Sequence, residues 1–327
     1  MSDSFFEGMP LRPPVDPQES ARDYMLRACL LNGWTWKSPR KWAVGSPIVR
    51  DEESLRRILE PLGPSDVDSL IRATPIQSDR ADQLCQPNAV TLPPWSVWSR
   101  RWCPACWRAD LAAPTGGRAP LWNLKNRFWW SIDAIHTCPF HNTKLNCRCP
   151  HCAVVVSWKC PSMITCSGGH DLLDAEPEPV CEQHVLADRY LLGRLGVIEP
   201  LALPILDEVN FEAAAVTLNK LGTSVILGPT YLYGAGDRTA ECMSEGVRLL
   251  SDWPRRFESY IAEIVGAEDA KHRWARDVLC NVFHFVLSAP DRDLGEKMER
   301  VMFQEIFRHP VNVERAYEIK WDGGRTR

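Results

Sequence analysis

Four closely spaced pairs of cysteine and histidine residues constrain what this chain can fold into. They are Cys103-Pro-Ala-Cys106, Cys138-Pro-Phe-His141, Cys149-Pro-His-Cys152 and Cys166-Ser-Gly-Gly-His170. A tight turn at this spacing aims two soft ligands at one metal ion, and a second turn from further along the chain completes a tetrahedron. The order of the pairs therefore predicts two successive zinc sites of four ligands each.

The predicted ligand sets follow the order of the pairs. We expect the first site to be formed by Cys103, Cys106, Cys138 and His141. We expect the second site to be formed by Cys149, Cys152, Cys166 and His170. Four protein ligands per ion are typical of closed, structural zinc, whereas a metalloenzyme needs an open position for water. The pattern thus predicts a protein that is not an enzyme, with two Zn²⁺ ions as its cofactors.

Composition limits the class of protein further. The chain has 327 residues, enough for two or three domains, and an odd total of 13 cysteines. No secretory signal is evident at the start of the sequence, so metal ligation is favoured over disulfides. The most apolar run, near Val278 to Ala289, is too short to span a bilayer. We expect a soluble, cytoplasmic protein with no membrane partner.

Charge is unevenly distributed along the chain. Between Trp95 and Cys160 nine Lys and Arg residues face two acidic ones, a local charge of +7 against a net charge of −4 for the whole chain. The same stretch holds eight of the 14 tryptophans. Such a segment can contact nucleic acid or an acidic protein, and the alternative is that its tryptophans fill a small core. The candidate phosphate-binding residues are Arg100, Arg101, Arg108, Arg118, Lys125 and Arg127.

The sequence divides into three predicted regions. Residues 1–94 are expected to form a helical domain resembling a helix-turn-helix, residues 95–180 the tandem zinc section, and residues 181–327 a C-terminal helical domain. The fold class is therefore mainly α with small zinc-ribbon β elements. Periodicity and capping residues predict helices at about 16–31, 51–62, 66–73, 182–195, 207–221, 239–250, 254–265, 272–288 and 294–308.

Three local features refine these predictions. Asp16 is the expected N-cap of the first helix, with Pro17 at its first position, and Asn32-Gly33 is the expected stop. Residues 154–156, three valines after the Cys149 turn, are expected to form the strand of a zinc ribbon. The stretch from Thr223 to Tyr233 is expected to be a loop.

The motifs together resemble the TniQ family of transposon target-selection proteins. The opening Met9-Pro-Leu-Arg-Pro13 with Arg27 and Asn32-Gly33 is similar to that family's first helix. Both zinc motifs and Asp252-Trp-Pro-x-x-Phe257 are similar to later parts of the family. One departure is the Gly168-Gly169 turn, where family members often carry a further cysteine. His170 is the nearest replacement, and Cys147, Cys160 and Cys181 are the alternatives.

The resemblance implies a non-catalytic adaptor. Proteins of that family connect a target, either DNA or an RNA-guided Cascade-type complex of a CRISPR-associated transposon, to a AAA+ ATPase that recruits the transposase. The chain could also act as a homodimer. The sequence lacks the Gly-x-x-x-x-Gly-Lys-Ser/Thr phosphate loop, so we do not expect it to be the ATPase itself. The alternative function is a zinc-ribbon or helix-turn-helix transcription regulator that binds a single operator.

Overall fold

The computed structural model describes residues 10–34, 52–62, 64–74, 99–158, 160–229, 236–267 and 275–308. The expectations concerning Met9, Trp95 and the helix start at His272 lie outside these residues. Within them, the prediction of a mainly helical chain with few short strands is confirmed. None of the described helices has the length and apolar character required to cross a membrane.

The described helices are numbered in chain order, and shorter 3₁₀ turns lie between some of them. The α-helices are α1 (Ala21–Leu31), α2 (Glu52–Leu59), α3 (Pro64–Arg72), α4 (Pro104–Ala112), α5 (Leu186–Arg194), α6 (Pro204–Asp207), α7 (Phe211–Leu227), α8 (Thr239–Leu250), α9 (Arg255–Gly266), α10 (Ala275–Leu279), α11 (Asn281–Leu287) and α12 (Arg292–Arg308). Two short strands, β1 (Thr137–Cys138) and β2 (Thr143–Lys144), form an antiparallel pair with Cys138 opposite Thr143.

The chain folds as two compact units. Unit 1 comprises Met1–Val180 with Leu195–Val197, and unit 2 comprises Cys181–Arg194 with Ile198–Arg327. The N-terminal helices and the Cys/His-rich section, which the sequence divides at residue 94, therefore belong to one unit. All eight predicted metal ligands lie in unit 1.

Helix α1 starts later than its sequence pattern predicts. Ser20 is the N-cap and accepts a hydrogen bond from the Asp23 backbone N–H, so the expectation that Asp16 caps the helix is wrong. Asp16 instead accepts from the Gln18 N–H at 2.8 Å and pairs with Lys125. The helix ends as predicted, because Asn32 is its C-cap and Gly33 has a φ of +66°.

Helices α1, α2 and α3 share one apolar core. Its fully buried members include Tyr24 and Met25 of α1, Leu55 of α2 and Leu70 of α3, and Trp158 of the Cys/His-rich section also belongs to it. Arg22 of α1 adds a cation–π contact to this packing, because its guanidinium lies 4.0 Å over the Trp158 ring. The three helices are thus packed against the Cys/His-rich section by hydrophobic burial and a cation–π contact.

The small β elements of unit 1 lie elsewhere than predicted. Strands β1 and β2 flank the Cys138–His141 turn, whereas the valine run at 154–156 forms only single bridges, such as Arg148 with Val155. Further single bridges join Ser99 to Ser157 and Trp102 to Asn146. Val154 and Val155 are exposed and only Val156 is buried. Too few backbone pairs form here to make the predicted regular strand.

Helices α7 and α8 of unit 2 cross closely, and this crossing explains why the predicted end of α7 is wrong. Gly222 was expected to end a helix, but α7 continues through it to Leu227. A Cβ at Gly222 would lie 1.6 Å from the carbonyl oxygen of Cys242, and one at Gly246 would lie 2.3 Å from that of Leu218. These glycines are therefore contact points between α7 and α8. The stretch from 223 to 227 is helical rather than the loop expected.

The C-terminal helices differ from their predicted ranges in a second place. The continuous helix expected from 272 to 288 is divided into α10 and α11 at Cys280, which has a φ of +37°. Helix α8 has the predicted bounds, and α12 ends at Arg308 as predicted. The helix predicted at 207–221 starts instead at Phe211, because Asn210 caps it by accepting from the Ala213 N–H.

Candidate metal centres

The first candidate centre brings together Cys103, Cys106, Cys138 and His141. Their four ligand atoms all lie within 4.8 Å of one another. The Cys106 and Cys138 sulfurs are 3.6 Å apart, and His141 Nδ1 lies 3.3 Å from Cys106 Sγ, 3.5 Å from Cys138 Sγ and 3.7 Å from Cys103 Sγ. Three sulfurs and one nitrogen therefore converge on a single point.

These separations match those of a tetrahedral zinc site. Zn–S bonds of about 2.3 Å and Zn–N bonds of about 2.0 Å place the sulfurs of a regular tetrahedron about 3.8 Å apart and each sulfur about 3.6 Å from the nitrogen. The observed distances lie within about 0.3 Å of both values. The side chains can therefore hold an ion without a change of backbone.

Local structure fixes each ligand of this centre. Cys103 is the N-cap of α4, with Pro104 at the first helical position, and its sulfur accepts from the Cys106 N–H at 3.4 Å. Thr143 Oγ1 of β2 lies 3.3 Å from the same sulfur, so its hydroxyl can donate to a thiolate. A helix N-terminus and two hydrogen-bond donors favour the ionised form of Cys103.

The proton balance of the three thiols indicates what a cation would change at this centre. Hydrogen bonds from Cys106 and Cys138 lower the pKa of Cys103 to about 2. The same hydrogen bonds to Cys103 raise the pKa of Cys138 to about 12 and that of Cys106 far above its ordinary value. Ionisation of Cys103 therefore disfavours ionisation of Cys106 and Cys138, because three negative sulfurs at these distances repel one another. A divalent cation relieves that repulsion and releases the remaining protons.

The second candidate centre is formed by Cys149, Cys152, Cys166 and His170, again with all ligand atoms within 4.8 Å of one another. Cys152 Sγ lies 3.8 Å from Cys166 Sγ, and Cys166 Sγ lies 3.5 Å from His170 Nδ1. The backbone N–H of His170 also donates to Cys166 Sγ at 3.3 Å. The structure therefore brings His170, rather than a fourth cysteine, into this group.

A glycine turn makes room for the His170 ring. A Cβ on Gly168 would lie 3.2 Å from Nδ1 and 3.3 Å from Cε1 of that ring. Gly169 has a φ of +84°, a conformation that glycine adopts without strain. The Gly168-Gly169 pair thus folds the histidine back onto Cys166, and the Cys166 N–H donates to the His170 carbonyl at 3.0 Å.

The other cysteines considered for the second centre do not join it. Cys160 is buried and Cys181 is exposed, and neither they nor Cys147 belong to a described ligand group. Cys29 and Cys242 are buried, as is common for cysteines that bind no metal, whereas Cys280 is only partly buried. In the part of the chain that the structure describes, the Cys, His, Asp and Glu side chains form these two Cys₃His groups and no third.

The two ligand turns share a backbone feature. Asn142 after His141 has a φ of +48°, and Ala153 after Cys152 has a φ of +55°. Each therefore follows the second ligand of a Cys-Pro-x-ligand turn in the left-handed region, where residues other than glycine are uncommon. The Ala153 N–H donates to the Cys149 carbonyl at 2.9 Å and closes its turn. The repeated geometry indicates that both turns are built to present two ligands on one side.

Two of the candidate phosphate-binding cations are buried. Arg100 is 1% exposed and donates to the carbonyls of Ser162 and Met163, at 3.1 and 2.7 Å. Arg101 is 8% exposed and donates to the carbonyls of Ile132 and Ile135, the latter at 2.6 Å. Neither guanidinium is presented to solvent, which corrects the expectation that both are available to phosphate.

The buried arginines instead bind the loops that precede two candidate metal ligands. The carbonyls that Arg100 binds come shortly before Cys166, and those that Arg101 binds come shortly before Cys138. Each arginine therefore fixes a loop that delivers a ligand to one of the two centres. The sequence carries no local signal for this role, since it depends on contacts between residues 31 to 63 positions apart.

Most of the remaining candidate cations are already paired. Arg127 binds both carboxylate oxygens of Asp110, and Lys125 pairs with Asp16. Arg108 lies 2.7 Å from Glu176, although about half of its side chain remains exposed. Arg118 is exposed and stacks over Trp122 at 4.4 Å. The charges of three of these four cations are therefore offset within unit 1.

The tryptophans of this section mainly fill its core. Trp102, Trp107, Trp129 and Trp130 are at most 1% exposed, and Trp102 stacks on Trp107 with ring centroids 5.5 Å apart. Trp158 is buried as well. This arrangement matches the alternative interpretation of the Trp-rich stretch.

Comparisons with known proteins add no relative, because no protein-family model, curated protein or solved structure matches the chain. The likeness to the TniQ family thus remains one of motifs.

Proposed function

We propose that both Cys₃His groups bind Zn²⁺ as closed, structural sites. A set of three thiolates and one imidazole suits a borderline-soft, four-coordinate ion such as zinc. Four protein ligands leave no position for a reactive water, so neither centre has the arrangement of a catalytic zinc site. Zinc binding here would stabilise the fold of unit 1, because ligation energy of this kind is folding energy.

The function that this arrangement supports best is that of a non-catalytic adaptor in DNA transposition. The observation that carries it is the pair of closed Cys₃His groups, which would form a scaffold within unit 1, in a chain that also contains the helical unit 2. Such a molecule offers surfaces rather than chemistry. Together with the motif resemblance, this favours a protein that links target DNA, or an RNA-guided DNA-bound complex, to a AAA+ ATPase that recruits the transposase.

The transcription regulator is the less favoured alternative. It requires a recognition helix that enters the major groove, and α3 would hold that position in a helix-turn-helix formed with α2. Helix α3 carries Asp66 and Asp68 against the single cation Arg72. On α2, Arg56 is paired with Glu52 and with Asp68, and Arg57 is paired with Glu53. A helix pair with this charge balance is poorly suited to a DNA groove.

Co-purification with a AAA+ transposition ATPase, if a neighbouring gene encodes one, tests the adaptor function. The zinc-loaded protein is mixed with the tagged ATPase, with and without ATP and with and without DNA, and the bound fraction is measured. We expect association that depends on ATP, and light scattering on the same samples reports whether the chain is a homodimer. Absence of association in all four conditions, together with tight binding to a single palindromic operator, would replace the adaptor with the regulator.

A further inference from the structure

The segment from Ala113 to Asn123 forms a compact surface loop that its own side chains close. Asn123 Nδ2 donates to the carbonyls of Ala113 and Pro114, at 2.9 and 3.3 Å, and so joins the two ends. Within the loop, the Thr115 hydroxyl donates to the Arg118 carbonyl at 2.5 Å. Self-closed surface loops of this type are frequently functional. We call residues 113–123 the Arg118 loop.

The loop holds a guanidinium against an indole at the surface. Arg118 lies 4.4 Å over the Trp122 ring. Trp122 is the one tryptophan in the described range 99–158 that is not buried, and Arg118 is exposed. Arg22 stacks on the buried Trp158 in the same way, but that contact joins α1 to the core. The Arg118–Trp122 stack lies within a single loop and Arg118 is exposed, so the stack orients a cation toward solvent.

Arg118 differs from Arg108, Lys125 and Arg127 in lacking an acidic partner among the described residues. It forms no ion pair with a carboxylate of the described residues, whereas Arg108, Lys125 and Arg127 each do. The loop itself contains no Asp or Glu. A stacked guanidinium keeps its N–H groups free at its edge, where they can donate in parallel to two oxygens of one anion.

The glycines at the tip add backbone donors beside this cation. Gly116 and Gly117 have φ values of +62° and +89°, and a Cβ on either would meet no atom within 4 Å. Neither backbone N–H donates to a described group. Without side chains, these amides are open to close approach by an anion. Main-chain N–H groups combined with an arginine are a donor set typical of phosphate contacts.

From these contacts we propose that the Arg118 loop binds the phosphodiester backbone of DNA, through the Arg118 guanidinium and the Gly116 and Gly117 amides. The inference rests on the proposed adaptor function and assigns its DNA contact to one loop rather than to the six cations together. It reads no base, because phosphate contacts position a protein on DNA without selecting its sequence.

The salt dependence of DNA binding tests this inference. Binding of the zinc-loaded full chain to a random-sequence duplex is measured by fluorescence anisotropy over a series of salt concentrations. The plot of log K against log salt has a negative slope, and loss of one phosphate contact reduces the magnitude of that slope by about 0.9. We expect this decrease in Arg118→Gln, and an unchanged slope with weaker binding in Arg118→Lys, which keeps the charge but loses the fork geometry. Arg57→Gln, an exposed but paired arginine, is the matched control and should behave as wild type.

Three outcomes would overturn the inference: no binding of duplex by the wild type, equal slopes for wild type and Arg118→Gln, or polyglutamate bound as tightly as DNA in an Arg118-dependent manner. The last would identify an acidic protein as the partner. ATPase co-purification of Arg118→Gln separates this inference from the adaptor function. Retained association with a reduced salt slope supports both, whereas failure of the wild type to bind the ATPase contradicts the adaptor function alone.

Discussion

Asp23 of helix α1 accepts a hydrogen bond of 3.0 Å from Asn126, a residue 103 positions further along the chain. Both side chains are buried, and the second Asp23 oxygen accepts from the Ser20 hydroxyl at 2.5 Å. The Phe128 N–H donates to the Gln18 carbonyl at 2.7 Å close by. The start of α1 is therefore hydrogen-bonded to the section that carries the metal centres.

Replacing Asn126 with Leu should destabilise unit 1 by about 1–3 kcal/mol, because Asp23 then keeps a buried carboxylate oxygen without its donor. The measurement is urea unfolding of the zinc-loaded protein, followed by tryptophan fluorescence. Glu53→Ala serves as the control, since its ion pair with Arg57 is highly exposed and worth less than about 1 kcal/mol. Equal unfolding midpoints for wild type and Asn126→Leu would show that the contact contributes nothing.

The Glu19–Arg27 pair should make stability depend on pH. Both side chains are buried, with Arg27 bonded to both Glu19 oxygens. Burial raises the pKa of Glu19 to about 7, above its ordinary value of 4.5. The folded state then holds a proton that the unfolded state has lost, so this contribution is present at low pH and disappears as pH rises through about 7.

For Glu19 titrating at about pH 7, the free energy of unfolding should fall by about 1.4 kcal/mol between pH 6 and pH 8. Glu19→Gln should lack this decrease. The difference between the two proteins is the informative quantity, because metal binding changes with pH in both. Stability curves that run parallel over this interval would mean that Glu19 does not titrate there.

Thr143→Val should weaken the first metal centre while leaving its ligands in place. The substitution keeps the buried shape but removes the hydroxyl that lies 3.3 Å from Cys103 Sγ. Loss of such a supporting hydrogen bond typically costs 10- to 100-fold in metal affinity, so we expect a loss of about tenfold or more. Chelator competition measures it. Thr165→Val, away from the first centre, should leave its affinity unchanged, and an unchanged affinity in Thr143→Val would exclude this role.

His170→Ala should reduce the zinc content from two ions per chain to one, because it removes a ligand of the second centre. The matched control is His151→Ala. The His151 ring lies only 5.5 Å from that of His170, but its Nε2 bonds Asp174 at 2.8 Å. If the control loses the metal and His170→Ala keeps it, the ligand assignment is wrong. Loss of metal in Cys160→Ser would likewise move the ligand set to Cys160.

The sequence predicts the two Cys₃His groups well because each turn is local. Two ligands with two or three residues between them, beside Pro or Gly, define a turn. The geometry of such a turn does not depend on the rest of the chain. Even the unusual Cys166–His170 pair is recognisable from its Gly-Gly turn. Helix α8 is predicted to its last residue for the same reason, since its periodicity and flanking residues are continuous in sequence.

Features that depend on distant contacts were missed. From composition alone, Arg100 and Arg101 are expected to be surface cations. Both are buried instead, and they donate to main-chain carbonyls 31 to 63 positions away. Gly222 resembles a helix stop until the backbone of α8 is placed against it. Asp16 resembles an N-cap, but Lys125 pairs with its carboxylate and Ser20 caps the helix. In each case a tertiary partner decides the outcome, and the local sequence does not contain it.

We propose that two closed Cys₃His zinc sites organise unit 1. Zinc K-edge absorption spectroscopy on the purified, metal-quantified protein tests it most directly. We predict two zinc ions per chain, each with three sulfur ligands at about 2.3 Å and one nitrogen ligand at about 2.0 Å. A folded protein without metal, or a zinc shell containing oxygen from water, would contradict the claim.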